Sequence, residues 1–221
     1  MEDKRTMEKL LIYDCEIINL IRNIKGPMNP NYSYCSHWSD FNNMGISVIG
    51  TWRNFDLITV LGKNYIIPLP WGKYEAFVNY QGNREQGTGN SECFRKFYKL
   101  YCVCDRLIGF NSVSFDDMLC KSNGLMVNTD FDLLCEVREV VGMPRHYVRG
   151  ITRGGYNLQN LALKNLGKGK SGNGELAPIL WQDGKYQQVI DYCLNDVKLL
   201  RSLYFKFING LLRDPHSLKL L

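Results

Sequence analysis

No stretch of the sequence approaches the roughly 18 uninterrupted apolar residues that a membrane-crossing helix needs, which excludes a helical transmembrane span. No Cys-x-x-Cys pair occurs among the eight cysteines, so the usual zinc-ribbon, zinc-finger and thiol-redox spacings are missing. Cys35-x-His37 with Cys102-x-Cys104 is the remaining zinc alternative, and its two-residue spacings differ from those patterns. The cysteines sit in apolar or amphipathic runs, which predicts buried free thiols in a reducing compartment. The opening MEDKRTMEKLLIYD begins with charge and meets acid inside its apolar run, so it does not read as a signal peptide. An intracellular protein is expected. The Gly- and Lys-rich run 167–174 lacks the Gly-x₄-Gly-Lys-Ser/Thr frame following a strand, which excludes a nucleotide-cradling P-loop. No internal repeat is present.

At 221 residues, 45% hydrophobic and 22% charged, the chain has the makings of one soluble globular domain with a sizeable core. One domain over 1–221 is expected, with loop insertions at 25–41 and 81–90. The formal net charge of +5 is compatible with a polyanionic partner without requiring one. Strands are expected at Leu10–Tyr13, Gly45–Trp52, Asp56–Leu61, Tyr65–Leu69 and Leu107–Phe110, with a polar turn at Arg53-Asn54 joining the second and third. Helical spacing marks Ser91–Cys104 with Ser91 as N-cap, Phe115–Ser122, Asp132–Val141, Asn157–Leu166 and about Lys185–Asn209. Strands followed by alternating helix and strand predict an α/β fold, a mixed sheet flanked by helices.

Three groups of acids stand out against this framework. Asp14 and Glu16 are two apart at the end of the first strand, so their carboxylates share a face. Hard oxygen ligands placed side by side suit Mg²⁺ or Mn²⁺. Asp-x-Glu alone is uninformative, since it recurs about once in every few hundred residues at average composition. In LIGFNSVSFDD a strand feeds Asn111, then Phe115 and Asp116, which falls in a first helical turn where the dipole favours a carboxylate. The alternative is a plain helix start with Ser112 or Ser114 as its cap. In VIDYCLNDVKLL, Tyr192 and Asp196 are four apart on one helix face, and Val189, Leu199 and Leu200 mark that face as core-directed. A carboxylate there needs a partner or a metal. Asp191 and Asn195 fall on other faces, where solvation is expected.

Taken in order, Asp14-x-Glu16, Asn111-x₃-Phe115-Asp116 and Tyr192-x₃-Asp196 resemble the three exonuclease motifs of the DEDD superfamily. The branch is the Tyr-type (DEDDy), which includes the proofreading domains of DNA polymerases. GFNSVSFDDML is most similar to the second motif of family B polymerase proofreading domains. The resemblance spans about residues 9–208. Tyr101-x₃-Asp105 fits the third pattern but precedes the second motif. Asn128-x₂-Phe131-Asp132 fits a shorter form of the second, but there Asp130 and Asp132 read as helix caps or strand ends. The resemblance implies a ribonuclease-H-like fold and a 3′→5′ exonuclease that uses two divalent cations, Mg²⁺ or Mn²⁺, and releases nucleoside 5′-monophosphates. It assigns the metals to Asp14, Glu16, Asp116 and Asp196, and the orienting of the attacking water to Tyr192. None of His37, His146 and His216 lies in the third motif, which argues against the His-type branch.

Relatives often carry Thr or Ser after the first-motif Glu, whereas this chain has Ile17 and then Ile18, so grip on a 3′ end is expected to rest on apolar contact. Asn111, Phe115 and Ile17 are the candidate substrate contacts beside the motifs. Lys164, Lys168 and Lys170 are candidates for backbone phosphates, and Arg149 and Arg153 are lesser ones. The ring side chains of loop 25–41, Tyr32, Tyr34, His37 and Trp38, suit either base stacking or packing. The partners implied are single-stranded 3′ ends, DNA ranked before RNA, with a replication or repair partner and no membrane. The length leaves no room for a polymerase or helicase domain, so a stand-alone nuclease or a subunit is expected. The alternatives are a non-catalytic nucleic-acid-binding module and a structure-specific endonuclease on the same fold.

Overall fold

The structure, a computed structural model, describes residues 7–22, 28–80 and 92–221. Its centre is β1 (Leu10–Ile17), whose apolar run is buried on both sides. Leu11, Tyr13 and Cys15 point into one core with Phe94, Phe97 and Leu119. Leu10 and Ile12 point into the other, with Leu161, Leu200 and Leu203. This is the period-2 alternation of a strand covered by helices on both faces.

Two short strands, β2 (Leu20–Ile21) and β3 (Tyr34–Cys35), pair in parallel beside it. A single turn of helix, α1 (Phe41–Met44), leads into β4 (Ile46–Val60) and β5 (Lys63–Val78). After α2 (Glu92–Tyr101) come β6 (Arg106–Gly109), α3 (Asp116–Ser122), β7 (Phe131–Asp132) and α4 (Leu133–Val140). The chain closes with α5 (Leu158–Leu166), α6 (Ala177–Gln182) and α7 (Tyr186–Ile208). The main sheet has the order β5-β4-β1-β6-β7, with β4 antiparallel to its neighbours and β6 and β7 parallel to β1. This mixed, helix-flanked sheet with an antiparallel second strand is the expected ribonuclease-H-like architecture.

The expected turn at Arg53-Asn54 is a bulge inside one continuous strand. Arg53 is buried and pairs with Asp56 of its own strand at 2.7 Å and Glu75 of β5 at 2.6 Å, so its charge is met by carboxylates rather than water. Asn54 accepts from Leu10 N (2.8 Å) and donates to Glu8 O (2.8 Å), which holds the entry to β1. The reversal comes instead at Leu61-Gly62, both at positive φ (49° and 74°), the geometry of a two-residue hairpin turn. The expected strands 45–52 and 56–61 are therefore one element, and 65–69 lies in the first half of its partner.

The predicted helices are present to within a few residues. Asn157 caps α5 by accepting from Asn160 N, and Asp132 caps α4. Neither Ser112 nor Ser114 caps α3; they form a 3₁₀ turn and Phe115 takes the cap position without a side-chain bond. The expected cap Ser91 and loop 81–90 lie outside the described residues, as does 25–27 of the first expected loop. No helix among the described residues is long and apolar enough to cross a membrane.

Helix α7 lies across β1 and β4 because Gly50 lets it approach. A Cβ at Gly50 would sit 2.8 Å from Cys193 Sγ and 3.3 Å from Val197 Cγ2. Gly50 is the β4 partner of Asp14, so this contact sets how closely the third motif approaches the first. Gly50→Val is expected to lower stability by about 1–3 kcal/mol through overpacking. A lowered midpoint in urea at unchanged slope is the outcome to look for; an unchanged midpoint contradicts this packing.

Candidate active site

Asp14 and Glu16 continue the face of β1 that Ile12 begins, where the apolar core gives way to a cleft. Past Ile12, β1 has outrun β6, whose pairing ends at Ile108. The chain turns there through Asn111, which adopts the left-handed conformation (φ 59°, ψ 16°) that Asn tolerates better than most residues. Asp132 fixes this turn by accepting from Asn111 N (2.9 Å) and Val113 N (3.1 Å) while also capping α4. The 3₁₀ turn then delivers Asp116 beside β1, where its Oδ1 accepts from Cys15 N at 3.0 Å.

The adjacent acid has a different job. Asp117 accepts from Tyr13 Oη (2.6 Å) and Thr129 N (2.9 Å) on the far side of the sheet, a structural network. From above, α7 supplies Tyr192 and Asp196 one turn apart, both buried. Asp14, Glu16, Asp116, Tyr192 and Asp196 all line one cleft of about 770 Å³, together with Ile17, Asn111, Phe115 and Lys170.

Lys170 was the basic-loop residue the structure brings in. Its Nζ lies 2.5 Å from Asp196 Oδ2 and 5.0 Å from the centre of the Tyr192 ring. The glycine-rich loop makes room for this: Gly172 and Gly174 lie against the Tyr192 ring and hydroxyl, where a Cβ would sit 3.1 Å and 3.5 Å from them. Lys164 is exposed and lines a separate cavity of about 300 Å³ with His216. Lys168 is exposed. A second cleft of about 700 Å³ adjoins the first, sharing Asp14, Phe110, Asn111 and Lys170, and carries Arg138 and Arg153. Arg149 is exposed.

Cys193 was not anticipated. It follows Tyr192 on α7, and its Sγ approaches Asp14 O (3.4 Å) and Oδ2 (3.8 Å). Asp14, Glu16 and Cys193 each offer a ligand atom within 4.8 Å of the others, and among the described residues this is the group that could gather a metal ion. The Cys35, His37, Cys102, Cys104 set does not form one. The only signal for Cys193 in sequence was its place between Tyr192 and Asp196 on the buried face. Asn195, expected in solvent, is half-buried.

The electrostatics are those of like charges held out of water. Burial raises the pKa of Asp14 well above the usual carboxylate range, and Asp116 and Asp196 raise it further. Glu16 is raised by burial, then by Asp14 and Asp196. Burial lifts Asp116 to about 7 against the hydrogen bond from Cys15 N. Asp196 is raised by burial, with Lys170 opposing. Burial works against the charge on Lys170, yet Asp196 and Asp14 hold its pKa above the ordinary lysine value. Burial, then Asp196 and Glu16, raise the Tyr192 phenol. Asp196 Oδ1 and Tyr192 Oη are buried without a hydrogen-bond partner. A buried carboxylate oxygen without a partner, in a cleft lined by three further carboxylates, fits hard divalent cations.

No protein-family model and no curated protein matches the sequence. Among solved structures the fold is similar to the family B DNA polymerase from the hyperthermophilic archaeon Pyrobaculum calidifontis, at 15% identity and TM-score 0.48 over 94% of this chain and 25% of that one. It is similar to exonuclease I with bound product at 14% identity and TM-score 0.37, over 91% of this chain and 47% of the other. E. coli exonuclease I in complex with a dT13 oligonucleotide is similar at 14% identity and TM-score 0.39, over 90% and 44%. The chain spans between a quarter and just under half of these structures.

The raised carboxyl pKa values carry a stability prediction. A group that holds its proton more tightly when folded stabilises fully below its unfolded pKa, near 4, and that contribution is lost as pH rises through the folded value. For Asp116 the window runs up to about 7. The melting temperature without divalent cations is expected to fall between pH 5 and pH 8. Mg²⁺ or Mn²⁺ is expected to raise it more at pH 8, where the ligands are ionised. Differential scanning fluorimetry at both pH values, with EDTA or cation, reads this; an equal cation effect at both contradicts it.

Proposed function

We propose that residues 1–221 form a metal-dependent 3′→5′ exonuclease of the Tyr-type DEDD class, acting on single-stranded 3′ ends of DNA or RNA. The observation that carries this reading is the meeting of Asp14, Glu16, Asp116, Asp196 and Tyr192 at one cleft from three separate stretches of chain. A structural explanation of four acids in one cleft, three of them buried and Asp14 half-buried, would require satisfying donors for each. Instead Asp196 Oδ1 has none, and the nearest cation is Lys170.

Asp14, Glu16, Asp116 and Asp196 would hold two divalent cations, which when bound supply an ionised water at neutral pH and neutralise charge on the attacking and leaving oxygens. The protein's own groups do the rest. The unpartnered Tyr192 hydroxyl is free to orient a water at the edge of the cleft. The phenol keeps its proton at neutral pH, so it acts as a donor that positions the water rather than as the base. Asn111 and Phe115 contact the terminal nucleotide, and Ile17 supplies an apolar wall in place of a hydroxyl. Lys170, Arg138 and Arg153 face the backbone of the strand across the two adjoining clefts. Attack of water on phosphorus breaks the P–O3′ bond, leaving a nucleoside 5′-monophosphate and a new 3′-hydroxyl.

A 5′-labelled single-stranded DNA and a matched RNA, incubated with Mg²⁺, Mn²⁺ or EDTA, test the proposal. A cation-dependent ladder shortening from the 3′ end is expected, and the two substrates report the preferred sugar. Asp14→Ala and Asp196→Ala are each expected to lose at least about 10²-fold in rate. Binding without cleavage would replace this reading with a binding module, and internal cuts would replace it with an endonuclease.

Tyr192→Phe keeps the ring that packs against Gly172 but removes the hydroxyl. It is expected to lose about 10–100-fold in turnover while melting at the wild-type temperature. Unchanged turnover contradicts the role given to the hydroxyl.

A further inference from the structure

Trp38 is exposed on a segment that is otherwise well tied down, and this combination asks for a ligand. Tyr32 Oη donates to Asp183 (2.9 Å) and Ser33 N to Gln182 Oε1 (2.7 Å). Gln182 Nε2 donates in turn to Ile18 O (2.9 Å) and Ser33 O (3.1 Å), tying the segment to α6 and to the end of β1. On the other side of the tryptophan, Asp40 accepts from Ser36 N at 2.7 Å, and Asp40 N donates to His37 O at 3.0 Å. The residue at the centre of this turn is nevertheless 63% exposed. Its ring meets Phe115 at 63° with centroids 6.3 Å apart, and Phe41 backs Phe115 at 5.7 Å. Trp38 lines the same cleft as the carboxylates, where Ile17, Leu20, Ile21 and Pro178 add apolar walls.

We propose that Trp38 is a substrate-positioning residue that, with Phe115, forms an aromatic platform for an unpaired nucleobase at the 3′ end. This rests on the exonuclease reading above and specifies what the cleft grips. A rigid indole held by its own turn loses little freedom when a base stacks on it. Every base has a π-face, so the platform grips any sequence, and it rejects a paired end because a base inside a duplex is already stacked. The apolar wall at Ile17 and the aromatic platform together replace the hydrogen-bonding grip that a hydroxyl after Glu16 would supply.

The test uses the full chain carrying Asp14→Asn and Asp196→Asn, so that substrate persists, and single-stranded oligonucleotides with 2-aminopurine at the 3′ terminus or the 5′ terminus. Fluorescence of the 3′ probe is expected to be quenched on binding, and that of the 5′ probe much less. Trp38→Ala is expected to abolish the 3′ quench and weaken binding by about 5–100-fold, while Trp38→Phe retains most of both. A blunt duplex is expected to bind more weakly than the single strand. In the otherwise unaltered protein Trp38→Ala should raise KM more than it lowers kcat. Undiminished quench and affinity in Trp38→Ala overturn the proposal, as does equal binding of blunt duplex or no binding of any oligonucleotide. If the unaltered protein cleaves from the 3′ end while Trp38→Ala behaves as wild type, only the platform fails. If it binds with a Trp38-dependent quench but never cleaves, the platform stands and the exonuclease reading fails.

Discussion

Four carboxylates converge where one core of the molecule opens to solvent, and holding acids there against the cost of burial is the constraint around which the rest is organised. Burial makes Asp14, Glu16, Asp116 and Asp196 all harder to ionise, and at Asp14 and Glu16 the neighbouring site acids add to it. Lys170 offsets part of this at Asp196, but one ammonium does not balance four acids. Acids gathered with perturbed pKa values in a cleft are a pattern expected at functional sites.

The scaffold that holds the acids together is assembled from small, specific devices. Gly50 lets α7 lie close over β1, which sets the approach of Asp196 to Asp14. Asp132 ties the left-handed Asn111 turn to the start of α4, which fixes where α3 begins and hence where Asp116 points. Asn54 at its bulge anchors the start of β1. None of these residues lies among the four acids, yet each determines the position of one that does.

Much of this was legible in the sequence because periodicity and spacing report burial directly. The apolar run before Asp14, the amphipathic pattern of 157–166 and the long stripe through 189–203 each marked an element correctly. Arg53-Asn54 misled because a polar pair reads as a turn unless its partners are known, and of those partners only Asp56 is near, while Glu75 and Glu8 are distant in sequence. The hairpin at Leu61-Gly62 was hidden because leucine seldom takes positive φ. Of three lysines in one basic stretch, only Lys170 reaches the acids, since the fold of a glycine-rich loop decides which one enters. Asp132 was legible as a helix cap, whereas Asp117 differs from its neighbour Asp116 only through partners that sequence does not show, Tyr13 and Thr129.

Two cations held by these acids would bind in a fixed ratio to the chain. Calorimetric titration of the EDTA-treated protein with Mn²⁺, in the presence of a nucleoside 5′-monophosphate, measures it most directly. Two Mn²⁺ per chain in the wild type, with binding lost in Asp14→Asn, is the result predicted. Absence of Mn²⁺ binding by a folded wild-type protein, or binding untouched by Asp14→Asn, would contradict it.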